Sequence, residues 1–166
     1  MLKTIIKGKV CKFDDNINTD LIMPGGTNWL PPEESSAFCM QANRPEFAKE
    51  VKPGDVIVAG KNFGCGSSRP AARNFLALGI GCAVAESIAR TFFRSAVNIG
   101  FPIFVCRGVY NAFEEGDTLE VNFHTGELKN ITSGKILQAE PLPEVAIRIL
   151  NAGGVVGLLK EKYGKK

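Results

Sequence analysis

The stretch from Val56 to Cys106 constrains the fold more than any other part of the chain. Val56-Ile57-Val58-Ala59 is a short apolar run launched by the turn Pro53-Gly54-Asp55, and it suits a buried strand. Ala72, Phe75, Leu76 and Gly79 then follow i, i+3, i+4, i+7 spacing, which predicts a helix with one packed face. Cys82-Ala83-Val84-Ala85 reads as a second buried strand. Ile88, Phe92, Ala96 and Ile99 line one side of a second helix that Gly100 ends. Pro102–Cys106 is a third strand, with the proline at its start, where a missing N–H does least harm. Strand, helix, strand, helix, strand predicts two right-handed βαβ crossovers and a parallel sheet.

The flanks are less regular. Thr4–Phe13 alternates and is rich in β-formers, so a strand is expected, followed by a loop over Asp14–Gly26. A short helix is expected over Glu33–Ala42, between Pro31-Pro32 and Arg44-Pro45. Gly116–Gln138 reads as a smaller antiparallel section, with a hairpin joining Thr118–Phe123 to Glu127–Ile131. A helix over Glu144–Asn151 stops at Gly153-Gly154, and Lys160–Lys166 reads as a solvated, frayed tail. The fold class is therefore α/β: a parallel βαβαβ core plus a smaller antiparallel section. With 166 residues, a single domain over 1–166 is expected.

Composition excludes several functions. Hydrophobic residues make up 45% of the chain, too many for disorder, and no run approaches the ~18 apolar residues of a membrane span. Lys+Arg 20 against Asp+Glu 17 gives a net charge of +3, without the basic–aromatic stripe of a nucleic-acid binder. Met1–Lys7 intersperses charges among apolar residues and has no signal-peptide core, so a reducing cytoplasm is the expected compartment. Cys11, Cys39, Cys65, Cys82 and Cys106 are widely spaced with no C-x-x-C pair. Neither a disulfide framework nor a metal centre made by this chain alone is expected. His124 falls in the hairpin turn, which leaves a Ser-His-Asp hydrolase without its base.

The chemistry concentrates in Gly60-Lys61-Asn62-Phe63-Gly64-Cys65-Gly66-Ser67-Ser68-Arg69-Pro70. Glycines at 60, 64 and 66 permit unusual backbone angles and close ligand approach. The loop follows a strand's C-terminal end, the ligand edge of a parallel sheet. Two serines and Pro70 suit the start of a helix, whose exposed N–H groups favour an anion. Arg69 adds a planar fork for a carboxylate or phosphate. In that field Ser67 could ionise and act as a base without a histidine. The bland alternative is that Ser67 and Ser68 only cap the helix and Arg69 is a surface charge. Phosphate-loop patterns fail: G-x-x-x-x-G-K-[ST] has no match, and Arg69 stands where G-x-G-x-x-G needs its third glycine.

Asn62–Arg69, together with Val56–Gly60, Ala85-Glu86-Ser87-Ile88-Ala89-Arg90 and Asn98–Pro102, resembles the small, swivelling subunit of isopropylmalate dehydratases. That subunit is similar to the mobile domain of aconitase and homoaconitase. The block Asp15-Asn16-Ile17-Asn18-Thr19-Asp20-Leu21-Ile22 resembles the D-x-I-x-T-D segment of that family. The resemblance implies a swivelling β/β/α fold and a stereospecific hydro-lyase of hydroxy dicarboxylic acids. It also implies a [4Fe–4S] cluster with one open iron, whose cysteines belong to a large partner subunit. By the motif match Ser67 would be the base, Ser68 would bind substrate, Arg69 would pair with a carboxylate and Asp20 would orient groups in the same site. Glu86 and Arg90 match positions with structural roles.

Two departures from the pattern bear on substrate. Pro70 and Ala71 replace the usual acidic and His or Gln residues. In the loop that sets substrate preference in relatives, Gly25-Gly26-Thr27-Asn28-Trp29-Leu30 places Asn28 near the usual arginine and Trp29 near the usual tyrosine. Asn28 and Trp29 are therefore expected to contact the substrate. An apolar indole and a lost cation favour an alkyl arm over a third carboxylate, which disfavours citrate and homocitrate. Isopropylmalate is the expected substrate of this small subunit, with leucine biosynthesis as its setting. Methylmalate, 2,3-dimethylmalate or a homoaconitase reaction are the alternatives. A carboxylate- or RNA-binding module without catalysis is the reading from another class.

Overall fold

A computed structural model describes residues 4–164. Among them, β1 (Ile5–Phe13), β2 (Val56–Ala59), β3 (Cys82–Ala85), β4 (Ile103–Val105), β5 (Thr118–Asn122), β6 (Glu127–Asn130) and β7 (Ile136–Gln138) form one sheet in the order β4-β3-β2-β1-β5-β6-β7. The connections hold the short helices α1 (Thr19–Ile22), α2 (Pro32–Ser35) and α3 (Phe47–Glu50), then α4 (Ala72–Ala77), α5 (Arg90–Asn98) and α6 (Val109–Ala112). Helices α7 (Glu144–Asn151) and α8 (Val155–Tyr163) complete the described chain. No described helix is long and apolar enough to cross a membrane.

The expected parallel and antiparallel sections are both present, and β1 joins them. Its second half, Val10–Phe13, pairs in parallel with Val56–Ala59, while Ile5–Lys9 pairs antiparallel with Thr118–Asn122. A strand of nine residues is long enough to serve both neighbours. Strands β2 and β3 are buried at every position, which is why they read as unbroken apolar runs. In β5 and β6 the buried residues Leu119, Val121, Leu128 and Asn130 alternate with more exposed ones.

Four expectations need correction. The region Glu33–Ala42 is not one helix but the single turn α2 followed by a 3₁₀ turn over Ser36–Phe38. Ser36 Oγ donates back to the Glu33 carbonyl at 3.0 Å, the local bonding through which serine competes with a continuing helix. Asp14–Gly26 is not wholly loop, because Asn18 caps the one-turn helix α1 through its side chain. Ile88 precedes α5 and instead bridges Phe63. Lys160–Tyr163 is the last turn of α8 rather than a frayed tail, its carbonyl-rich end matched by Lys160 and Lys162. Lys165 and Lys166 of that tail, like Met1–Lys3 of the amino-terminal segment, lie outside the described residues.

Phe63, Phe75, Phe92 and Phe101 are buried together; Phe63 stacks on Phe75 at 6.2 Å between ring centroids and meets Phe92 edge-on at 5.5 Å. Because Phe63 belongs to the glycine-rich loop, this cluster fixes the loop to the core. Phe13, Ala59, Ala85 and Val105 stand in register, so the four parallel strands end on one edge.

Candidate active site

The chain segments leaving that edge continue side by side. Asn16 N–H donates to the Lys61 carbonyl at 2.8 Å, Gly64 N–H to Ile17 at 2.7 Å and Thr19 N–H to Cys65 at 2.8 Å. On the other flank Phe63 N–H donates to Ser87 at 3.0 Å and Ala89 N–H to Phe63 at 2.9 Å. The loop is thus held between its two neighbours by backbone bonds. Gly64, at φ +74°, must be glycine twice over, because a Cβ there would overlap the Phe92 ring. Gly66, at φ +101°, turns the chain over Thr19, whose Oγ1 would lie 3.3 Å from an added Cβ.

That turn brings Ser67 onto Thr19. The Ser67 N–H donates to Thr19 Oγ1 at 3.1 Å, and the two hydroxyl oxygens are 3.0 Å apart. Thr19 is buried, at 1% exposure, whereas Ser67 and Ser68 are exposed on the rim. The serines do not stand at the helix start that the sequence suggests. Helix α4 begins at Ala72 with Ala71 as its N-cap and no side-chain cap, so neither serine caps it. The reason is local: Pro70 follows Arg69, and a residue before proline is steered away from helical angles.

Arg69 pairs with Asp20 through Nη1, which also donates to the Met23 carbonyl at 3.1 Å. The structure therefore gathers Asp20, Ser67, Ser68 and Arg69 on one rim, drawn from the first and second connections of the parallel sheet. Trp29 is 87% exposed. It is flanked by Asn28 and Leu30, whose carbonyls accept from Arg73 Nη2 at 2.7 and 3.3 Å. Asn28 is thus engaged through its backbone. Asn74, fully buried, donates from Nδ2 to the Ile22 and Ser35 carbonyls at 3.0 and 3.2 Å, tying both ends of the Trp29 segment to α4.

Thr19, Arg73 and Asn74 were not singled out from the sequence. Thr19 sits beside Asp20 in the T-D block, which is the only signal that pointed near it. Glu86 accepts from the Gly108 and Tyr110 N–H groups, both at 2.9 Å, a bond pattern that fastens the start of α6 to β3. His124 lies exposed in the β5–β6 turn, where its N–H donates to Asn122 Oδ1 at 3.0 Å.

The donor set does not fit an iron–sulfur cluster. Such a cluster needs thiolates brought together. Burial pushes the thiols of Cys11 and Cys82 up to about 12 and that of Cys106 to about 11, and raises Cys39 as well. Among the described residues no three Cys, His, Asp or Glu side chains gather in a metal-binding group.

Residues 13–103, which span β1's end, the whole rim and β4's start, match the model of the aconitase C-terminal domain. The chain belongs to the aconitase C-terminal domain family. Its relatives in that family include an isopropylmalate/citramalate isomerase small subunit of Methanocaldococcus jannaschii, 49% identical over 99% of both chains. A 3-isopropylmalate dehydratase small subunit of Methanopyrus kandleri is 48% identical over 97% of this chain and 96% of its own. A crystal structure of 3-isopropylmalate dehydratase from Methanocaldococcus jannaschii superimposes with a TM-score of 0.90 at 38% identity, covering 95% of each chain. The aconitase-type fold and the family expected from the T-D and G-C-G-S-S-R segments are thereby established.

Proposed function

We propose that this chain is the small subunit of a two-subunit hydro-lyase that dehydrates and rehydrates isopropylmalate in leucine biosynthesis. The observation that carries the reading is the rim itself: Ser67 bonded to Thr19 and Arg69 paired with Asp20 join two different connections at the C-terminal edge of an aconitase-family sheet. The large subunit supplies the [4Fe–4S] cluster, and this chain's part is the proton and the carboxylate. Ser67, as the alkoxide, takes the proton from the carbon beside a substrate carboxylate. The C–H electron pair becomes the new double bond as the C–O bond breaks and the hydroxyl leaves with its electron pair, to be released as water. The partner's cluster, when bound, would supply the Lewis acid that takes it. Arg69 holds a carboxylate through its fork, with Asp20 and the Met23 carbonyl fixing Nη1, and Ser68 adds a donor on the same rim. An exposed rim gives little protection from water, so the partner's surface closes the site.

The alkyl arm of the substrate is read from Trp29, and Asn28 stands beside it in place of a cation. Citramalate is the second substrate to test, because the 49% identical relative is named for both.

The test is reconstitution with the cluster-bearing subunit, assayed with isopropylmalate, citramalate and citrate. Ser67→Ala should lower turnover about a thousand-fold or more while the complex still assembles, in line with loss of a positioned base. Near-normal turnover would remove Ser67 from its role, and citrate turning over fastest would overturn the alkyl-arm reading.

A further inference from the structure

We propose that Thr19 is a positioning residue for Ser67: its buried hydroxyl donates to Ser67 Oγ while accepting the Ser67 N–H, so that one threonine orients the serine and stabilises its oxyanion. This rests on the reading of Ser67 as the base and deepens it.

The geometry limits the arrangement. A hydroxyl has one proton and two acceptor positions. Thr19 Oγ1 uses one acceptor position on the Ser67 N–H at 3.1 Å. Its other described contact is Ser67 Oγ at 3.0 Å. Thr19 is 1% exposed, so its proton is directed at a protein partner rather than at bulk water. When Ser67 is ionised it can only accept, and Thr19 must be the donor. When Ser67 is protonated, donation by Thr19 leaves the serine's own proton directed outward to the rim. In both states the threonine favours the form the reaction needs.

Three features hold Thr19 in place. Its N–H is bonded to the Cys65 carbonyl, and Asn18 caps the helical turn that Thr19 begins. A side chain on Gly66 would bring its Cβ to 3.3 Å from Thr19 Oγ1, and Gly66 holds a backbone angle side chains rarely adopt. The β-branch then restricts χ1, so the hydroxyl is aimed without further bonds. The helix end that sequence alone offered as the source of alkoxide stabilisation is at Ala72, and Thr19 takes over that role.

The experiment compares Thr19→Val, Thr19→Ser and Ser67→Ala in the reconstituted two-subunit enzyme with isopropylmalate. Valine keeps the shape and removes the hydroxyl. It should lower kcat roughly a hundred-fold, the effect of removing one oxyanion donor, with KM changed less than three-fold. Thr19→Ser should restore most of kcat, which a purely structural role of the methyl group would not allow. Thr19→Val added to Ser67→Ala should cost nothing further, because the two act as a unit. If Ser67→Ala is inactive and Thr19→Val turns over like the parent, the positioning role is overturned and the base is retained. If Ser67→Ala retains turnover, the base reading itself fails. Should the valine variant not fold, Thr19→Ala serves as the hydroxyl-free variant, and equal kcat for Thr19→Ala and Thr19→Ser overturns the inference.

Discussion

Arg69 Nη1 is shared between Asp20 Oδ1 and the Met23 carbonyl, so a single nitrogen ties the arginine to α1. No hydrogen bond among the described residues engages its Nε or Nη2. The guanidinium is thereby oriented by one corner while the rest of the fork can meet a carboxylate. Lysine could satisfy Asp20 or a substrate but cannot present parallel donors while remaining tied. Arg69→Lys should therefore raise KM for isopropylmalate by roughly 10- to 100-fold, the worth of one hydrogen bond to a charged group. Asp20→Asn should raise it less, because a half-exposed ion pair contributes little by itself. Steady-state kinetics of the reconstituted enzyme decides this, and an unchanged KM in Arg69→Lys would remove the arginine from substrate binding.

Arg73 should control the mobility of Trp29. Its Nη2 grips the carbonyls on either side of an indole that is otherwise almost entirely in solvent. The chain has one tryptophan, so intrinsic fluorescence reports on this loop alone. Arg73→Met keeps most of the stem's packing and removes the grip. Fluorescence anisotropy of Trp29 should fall, while far-UV circular dichroism stays as in the parent. Anisotropy equal to the parent's would show that Asn74 and the remaining loop bonds hold the segment without Arg73.

The sequence was informative where burial is complete and poor where hydrogen bonds decide. Strands β2 and β3 were legible because all their residues are apolar, and Phe92 and Ala96 marked α5 through their spacing. Asp20, Ser67 and Arg69 could be named because each lies in a short, dense motif, and the fold then places them together. Thr19, Arg73 and Asn74 carry no comparable signal. Each acts through one or two bonds to partners more than 35 positions away in the chain (Thr19 and Ser67 are separated by 48). The break at Ser36 and the non-helical course of Ser67–Pro70 ahead of α4 were missed for a related reason. Serine back-bonding and the restriction before proline are local choices that hydrophobic periodicity does not register.

Gly64 should be intolerant of even the smallest side chain. Its φ of +74° is unfavourable for L-residues, and its Cβ direction is occupied by the buried Phe92 ring. Strain and overpacking together put the cost of Gly64→Ala at about 3 kcal/mol. Urea unfolding should show the midpoint lowered with little change in slope. A loss below about 0.5 kcal/mol would mean that Phe92 can move aside, contrary to its edge-on packing against Phe63.

The cysteines give the chain a stability limit on the alkaline side. Cys11 and Cys82 are held protonated up to about 12 and Cys106 up to about 11, all chiefly by burial, against an ordinary value of 9.0. Above pH 9 the unfolded chain gives up these protons and the folded chain keeps them. The folded state then binds more protons than the unfolded one, so stability falls as pH rises. The decline should begin near pH 9 and continue to about pH 11–12, the range bounded by the ordinary and folded values. Cys65 sits half-exposed in the rim loop, unlike the four buried thiols. A thiol reagent at pH 8 should therefore label Cys65 rapidly in the folded chain, and the others only on unfolding. Substituting Cys82→Ala should flatten the alkaline decline in melting temperature, though it lowers stability at neutral pH by leaving a small cavity. A melting temperature independent of pH between 8 and 11 would show that these thiols ionise without opening the fold.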